Sequence, residues 1–185
     1  MEKLIVLDRD GVINEDSDDY IKSPEEFVPI PGSLEAISKL NKAGYTVVVA
    51  TNQSGLARGY FDQNTLDKMH HKLFTLLKAA GGKISRIYVC PHGPDDHCDC
   101  RKPEPGLLVQ ILADYDVKAE DVIAIGDSLR DLQAAMSVNM IPMLVRTGKG
   151  SKTESSLRND GKFSDVRIFD NLGQAVDAVI GKGNS

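Results

Sequence analysis

The 185-residue chain has no tryptophan, and tyrosine and phenylalanine make up only 5% of it. Val, Ile, Leu and Ala must therefore build the core. There is also no evident aromatic platform on which nucleic-acid bases would stack. An excess of positive charge is missing as well. The formal net charge of −5 argues against general binding to nucleic acid or to anionic membranes. It does not exclude a small phosphorylated substrate, whose capture needs only a local basic pocket. No apolar run approaches the ~20 residues of a membrane span. The first residues lead straight into an apolar strand without a secretion-signal pattern, so a cytoplasmic location with reduced thiols is expected. Only three cysteines are present, an odd number that rules out complete pairing within the chain.

What is there is an α/β pattern. At 185 residues and 41% hydrophobic the chain can bury one sizeable core. No repeat or second-domain boundary interrupts residues 1–185, so a single domain and a monomer are expected. Pro31-Gly32-Ser33 opens a helix with apolar Leu34, Ile37 and Leu40, and Gly44 ends it. Asp62 caps a long helix with Leu66, Met69, Leu73, Leu76 and Leu77 at core spacing. On that helix His70 and His71 read as structural or surface residues. Residues 45–50, 84–90, 122–125 and 140–145 read as strands, and 104–115, 131–138 and 171–180 as helices. Residues 147–165 are polar and rich in Gly, Ser and Lys, and read as a mobile loop. Alternation of this kind implies a Rossmann-like, doubly wound parallel sheet.

The chemistry gathers at strand ends. Leu4-Ile5-Val6-Leu7 runs into Asp8-Arg9-Asp10-Gly11. Side chains alternate along a strand, so Asp8 and Asp10 face the same way, at the end where open α/β sheets bind ligands. Two carboxylates there suit Mg²⁺ and phosphoryl chemistry; by itself the motif is a weak signal that a solvated turn also satisfies. The strand at 45–50 ends in Thr51-Asn52-Gln53-Ser54-Gly55. A loop carries Arg101-Lys102-Pro103, and the strand at 122–125 ends in Gly126-Asp127-Ser128, with Asp131 beyond.

All three cysteines lie in Cys90-Pro91-His92-Gly93-Pro94-Asp95-Asp96-His97-Cys98-Asp99-Cys100. Three thiolates and an imidazole are the set a structural Zn²⁺ prefers. The alternative is free cysteines in a polar loop, since a Cys98–Cys100 disulfide would be strained. His97 competes with His92 for the fourth position. Zinc there would pin the loop that delivers Arg101 and Lys102.

Asp, then Thr, then Lys, then Asp, in this order and context, resembles the four-motif pattern of the haloacid dehalogenase-like phosphatases. Asn14, Ala57-Arg58-Gly59, the cysteine/histidine loop and Arg146-Thr147-Gly148 extend the likeness, specifically to the histidinol-phosphate phosphatase-like subgroup. The resemblance covers nearly the whole chain. It implies a phosphoric monoester hydrolase without a large cap domain, because residues 14–29 are too few for one.

The resemblance implies Asp8 as nucleophile, Asp10 as acid–base group, and Thr51 and Lys102 as stabilisers of phosphoryl charge. It implies Mg²⁺ held by Asp8, Asp127 and the backbone carbonyl of Asp10, and Zn²⁺ held by Cys90, His92, Cys98 and Cys100. Asp16, Asp19, Tyr20, Asn52, Gln53, Ser54, Arg58 and Arg101 are the implied substrate contacts, although Asp16, Asp18, Asp19 and Tyr20 read equally well as a solvated acidic loop. Asp131 is expected to orient Lys102 or cap its helix. The expected substrate is a small sugar bisphosphate, with Arg58, Arg101, Arg146 and Lys149 as candidate cations for its distal phosphate. The alternatives are a histidinol-phosphate phosphatase, a nucleic-acid 3′-phosphatase, which the acidic composition disfavours, and a catalytically silent zinc-stabilised binding module.

Overall fold

The computed structural model describes residues 2–182. Six strands form one parallel sheet: β1 (Lys3–Leu7), β2 (Tyr45–Asn52), β3 (Arg86–Cys90), β4 (Ile123–Gly126), β5 (Ile141–Val145) and β6 (Arg167–Phe169). Their order is β3-β2-β1-β4-β5-β6. The helices are α1 (Ser33–Lys42), α2 (Gln63–Ala79), α3 (Gly106–Asp114), α4 (Leu129–Ser137), α5 (Gly150–Leu157) and α6 (Leu172–Lys182).

The near-continuous apolar strands follow from burial on both faces. Ile5 and Leu7 of β1 pack with α1, α2 and α6 through Ile37, Leu40, Leu66, Met69 and Val176. Leu4 and Val6 of the same strand face the other way, toward Leu107 and Ile111 of α3 and Ala134 of α4. Truncating one of these buried leucines to alanine would cost about 2–5 kcal/mol. Asp62 caps α2 by accepting from the Thr65 amide at 2.8 Å.

The chain winds outward from β1 to β3, then returns to lay β4 on the other side of β1. The carboxyl ends of β1 and β4 therefore flank the point where strand order reverses, the place where such sheets open a ligand crevice. Residues 8–32 close over it as a loop, with Glu15 N–H donating to Val28 O at 2.8 Å and Ile30 N–H to Ile13 O at 2.9 Å. They form no cap domain among the described residues, and no described helix is long and apolar enough to cross a membrane.

Two expectations are corrected. Residues 147–165 do not form an unstructured loop: they contain α5 and a 3-10 turn at Gly161–Phe163. The helix has only Thr153 and Leu157 as buried side-chain anchors, too few to show a period in so polar a stretch. The sheet also has a sixth strand, β6, pairing Arg167–Phe169 with Met143–Val145. Three residues are too short for a strand pattern to register.

Candidate active site

Asp8 follows β1 directly, and its N–H donates to Ile125 O of β4 at 3.0 Å. Lys102 enters from 94 residues away. It is 5% exposed, and its Nζ donates to Ala50 O at 2.8 Å, Asp8 Oδ1 at 3.1 Å and Asp131 Oδ1 at 2.6 Å. Its three protons thus have three acceptors. Burial opposes the ammonium charge, but Asp131 and Asp8 outweigh it and raise the Lys102 pKa above the ordinary lysine value. Among the described residues Asp8 Oδ2 has no protein donor, whereas Oδ1 also accepts from Arg9 N–H at 2.9 Å.

Burial and the negative charge of Asp131 push Asp8 well above the usual carboxylate range, with smaller contributions from Asp127 and Asp10, against the pull of Lys102. Burial and Asp131 likewise raise Asp127 to about 7. One carboxylate oxygen each from Asp8, Asp127 and Asp131 lies within 4.8 Å of the others. A cation bound among these crowded carboxylates would offset their mutual repulsion, and an all-oxygen set of this kind fits a hard ion. Asp131 is the most committed of the three. Its Oδ2 accepts from Asp127 N–H, Ser128 N–H and Ser128 Oγ–H at 3.2, 3.1 and 2.9 Å, closing the capping box of α4. Burial raises the Asp131 pKa, but Lys102 and these donors outweigh it and hold the group below its ordinary value.

Two glycines let the backbone close around Asp127. Gly11 (φ 85°) and Gly148 (φ 57°) both adopt the left-handed region, and a Cβ on either would collide with Asp127 Oδ2. The start of α5 completes this clasp. Lys149 N–H donates to Asp127 Oδ2 and Thr153 Oγ–H to Asp127 O, each at 2.9 Å.

Asp10 collects donors on both oxygens. Arg9 Nε (3.0 Å), Arg9 Nη2 (2.8 Å) and Asn14 Nδ2 (2.8 Å) donate to Oδ1, and Gln53 Nε2 (3.1 Å) donates to Oδ2. Burial pushes this carboxyl up, but the Arg9 charge and these hydrogen bonds prevail and lower its pKa.

A cavity of about 370 Å³ opens above these groups. Of the expected substrate contacts, Asp16, Tyr20, Asn52, Gln53, Ser54, Arg58 and Arg101 line it; Asp19 does not. Thr51 is 1% exposed and does not line it either, and its hydroxyl accepts from Gln53 Nε2 at 2.8 Å. Asn52 is already engaged. Its Oδ1 accepts from Lys102 N–H at 3.0 Å and its Nδ2 donates to Lys102 O at 3.1 Å, holding the lysine backbone from both sides. Tyr20 meets Tyr60 edge-on at 5.0 Å, with the Arg58 guanidinium 5.7 Å from the Tyr20 ring.

Among the candidate cations Lys149 lines the cavity, 3.7 Å from Asp16. Arg146 instead pairs with Glu154 and Asp170 at 2.7 Å and is not part of the lining. Arg130, in the first turn of α4, is a lining residue that the sequence did not single out. Burial and the nearby Arg130 charge lower the Arg101 pKa. In the sequence, the position of Arg130 three residues after Asp127 is the one signal for its place in the lining.

At the other side of the Arg101 loop, Cys90 Sγ, His92 Nδ1, Cys98 Sγ and Cys100 Sγ converge within 4.8 Å. Cys90 Sγ lies 3.6 Å from His92 Nδ1, 3.8 Å from Cys98 Sγ and 2.9 Å from Cys100 Sγ, and His92 Nδ1 lies 3.3 Å from Cys100 Sγ, at or inside the ~3.8 Å edge of a tetrahedron with ~2.3 Å Zn–S bonds. The donor set and convergence fit zinc, with His92 rather than His97 in the cluster.

A family model described as HAD-hydrolase-like matches residues 99–175. A Pseudomonas putida protein named D-glycero-beta-D-manno-heptose-1,7-bisphosphate 7-phosphatase is 58% identical over 178 residues, covering 96% of this chain and 99% of that protein. The Pseudomonas aeruginosa protein of the same name is 51% identical, covering 96% and 97%. The crystal structure of the D,D-heptose 1,7-bisphosphate phosphatase of B. bronchiseptica, complexed with magnesium and phosphate, superposes with a TM-score of 0.92 at 49% identity, covering 97% of this chain and 99% of that one. With relatives this similar along nearly its whole length, the chain belongs to the heptose-1,7-bisphosphate 7-phosphatase family of haloacid dehalogenase-like phosphoric monoester hydrolases.

Proposed function

We propose that the protein removes the 7-phosphate of D-glycero-beta-D-manno-heptose 1,7-bisphosphate through an aspartyl-phosphate intermediate, in the cytoplasmic synthesis of nucleotide-activated heptose for lipopolysaccharide. The observation that carries the chemistry is the Asp8–Lys102–Asp131 cluster at the floor of the cavity, with Asp10 held beside it.

Asp8 Oδ2, the oxygen without a protein donor, attacks phosphorus. The P–O bond to the sugar breaks, and its electron pair goes to the leaving oxygen, which Asp10 in its acid form protonates. A bound phosphate favours that acid form, because its negative charge opposes ionisation of Asp10. Water then attacks the phosphorus of the aspartyl phosphate as Asp10 takes its proton. Inorganic phosphate leaves and the Asp8 carboxylate is restored. Lys102 neutralises charge on the phosphoryl oxygens. Thr51 acts through Gln53, which links its hydroxyl to Asp10. Asp8, Asp127 and the Asp10 carbonyl are the residues to hold Mg²⁺, which when bound supplies charge neutralisation to both the carboxylates and the phosphate. Zinc on Cys90, His92, Cys98 and Cys100 is structural, with no open position for a water.

A primary phosphate on an extended sugar tail can reach a site roofed by loops. The 1-phosphate at the other end of the sugar then meets Arg101, with Arg58, Arg130 and Lys149 also lining the cavity. The test is phosphate release from the heptose 1,7-bisphosphate and from histidinol phosphate, with and without Mg²⁺. The expected result is a higher kcat/KM for the bisphosphate, with the 1-phosphate retained. A preference for histidinol phosphate would overturn the substrate assignment, and absence of turnover on any phosphomonoester would favour a silent zinc-stabilised module.

A further inference from the structure

Among the described residues Arg9 is the largest side chain that is fully buried. It does not line the cavity, so it is not placed to bind substrate. Two of its nitrogens, Nε and Nη2, converge on Asp10 Oδ1 at 3.0 and 2.8 Å. The third, Nη1, lies 3.2 Å from His70 Nε2 on α2, 61 residues away. The guanidinium also sits 5.4 Å from the Phe27 ring. A guanidinium has donors only and keeps its proton, so His70 Nε2 must accept, which puts the ring proton on Nδ1. Arg9 and Asn14 together place three donors on Oδ1. Asp10 Oδ2 has a single donor, from Gln53, and is thereby the oxygen left able to carry a proton.

We propose that Arg9 and His70 are positioning residues for proton transfer: Arg9 fixes the Asp10 carboxylate so that Oδ2 meets the departing oxygen, and His70 fixes Arg9. The inference rests on the reading of Asp10 as the acid–base group. If His70 offers no acceptor, an Arg9 N–H is stranded in a buried site, where an unmet donor is costly. The guanidinium then shifts, and the carboxylate turns with it. Transfer to a poor leaving group is where such a turn is felt, because an alkoxide must be protonated as it departs whereas a nitrophenolate need not be.

The experiment compares kcat/KM for the sugar bisphosphate with that for p-nitrophenyl phosphate in wild type, His70→Leu and His70→Gln. The ratio of the two values does not depend on the fraction of folded enzyme. In His70→Leu the ratio should fall about tenfold or more, within the range of general acid catalysis. In His70→Gln, whose side-chain oxygen can accept from Arg9, it should return to within about threefold of wild type. If the leucine variant gives no soluble enzyme, His70→Ala is read in the same way. Equal losses on both substrates would mark His70 as merely structural and overturn the inference, as would a fall that glutamine does not reverse. Asp10→Asn separates the two levels. If it too leaves the ratio unchanged, the reading of Asp10 fails; if it lowers the ratio while His70→Leu does not, only the positioning role fails.

Discussion

The Lys102 ammonium lies closer to Asp131, at 2.6 Å, than to Asp8, at 3.1 Å. The lysine is thus anchored by a carboxylate that also caps α4, and it reaches the nucleophile from that anchor. Removing one partner of a buried pair leaves a charge without compensation, at a cost of about 3–5 kcal/mol; here Asp8 still compensates in part. Asp131→Ala should therefore lose about 3 kcal/mol in urea denaturation and most of its kcat. Asp131→Asn, which keeps an acceptor for the Ser128 amide, should lose less stability. An alanine variant as stable as wild type would contradict this role.

Asp8→Asn should abolish turnover with the fold intact, because an amide is a poor nucleophile of nearly the same shape. Acid-quenched wild type should carry phosphate on Asp8, and the variant none. Asp10→Asn should be severely impaired and should retain phosphoenzyme if the first step survives. Normal activity in Asp8→Asn would end the covalent mechanism.

Asp127, at about 7, should make Mg²⁺ binding proton-linked. Below that pH a proton occupies the carboxyl and must be displaced, so apparent affinity should weaken as pH falls from 8 to 6. Titration calorimetry in buffers of different ionisation enthalpy should show up to about one proton released per ion at pH 6 and less at pH 8. Binding indifferent to pH would remove Asp127 from the metal site.

His70 is held down to about 4 by burial and the Arg9 charge, against an ordinary value near 6.5. Between these values the unfolded chain binds the proton and the folded one does not. Stability is therefore unaffected above about pH 7 and falls as pH drops toward 4, by up to about 3 kcal/mol. His70→Gln lacks this titration and should lose less stability than wild type between pH 7 and 4.5, as read by denaturant midpoints.

Purified protein should contain about one zinc per chain by elemental analysis, and Cys98→Ala should lower that content. The consequence for activity should be uneven. Lys102 is held independently by Asn52, Ala50 and Asp131, whereas among the described residues the Arg101 guanidinium has a single hydrogen bond, 3.4 Å to His92 O on the zinc loop. Loss of zinc should raise KM more than it lowers kcat. Equal losses in both would mean that zinc also holds Lys102.

The sequence alone determined the sheet, its order of alternation, and the strand ends that carry Asp8, Thr51 and Asp127. Runs such as Leu4–Leu7 and Val47–Ala50 can be buried on both faces only in a covered parallel sheet. The cysteine cluster was legible for the same local reason, since its four donors lie within 11 residues. The helix α5 and strand β6 were not, because one is polar and the other is three residues long. Only the tertiary structure decided which polar groups are already engaged. Asn52 is occupied by the Lys102 backbone, Gln53 by Asp10 and Thr51, and Arg146 by Glu154 and Asp170. Arg9 stands between two aspartates in the sequence, and nothing local shows that it is buried against a histidine from α2. Composition and spacing register which donors a chain possesses. Whether a donor is free for substrate depends on partners brought close by packing from tens of residues away, and no local pattern encodes that distance.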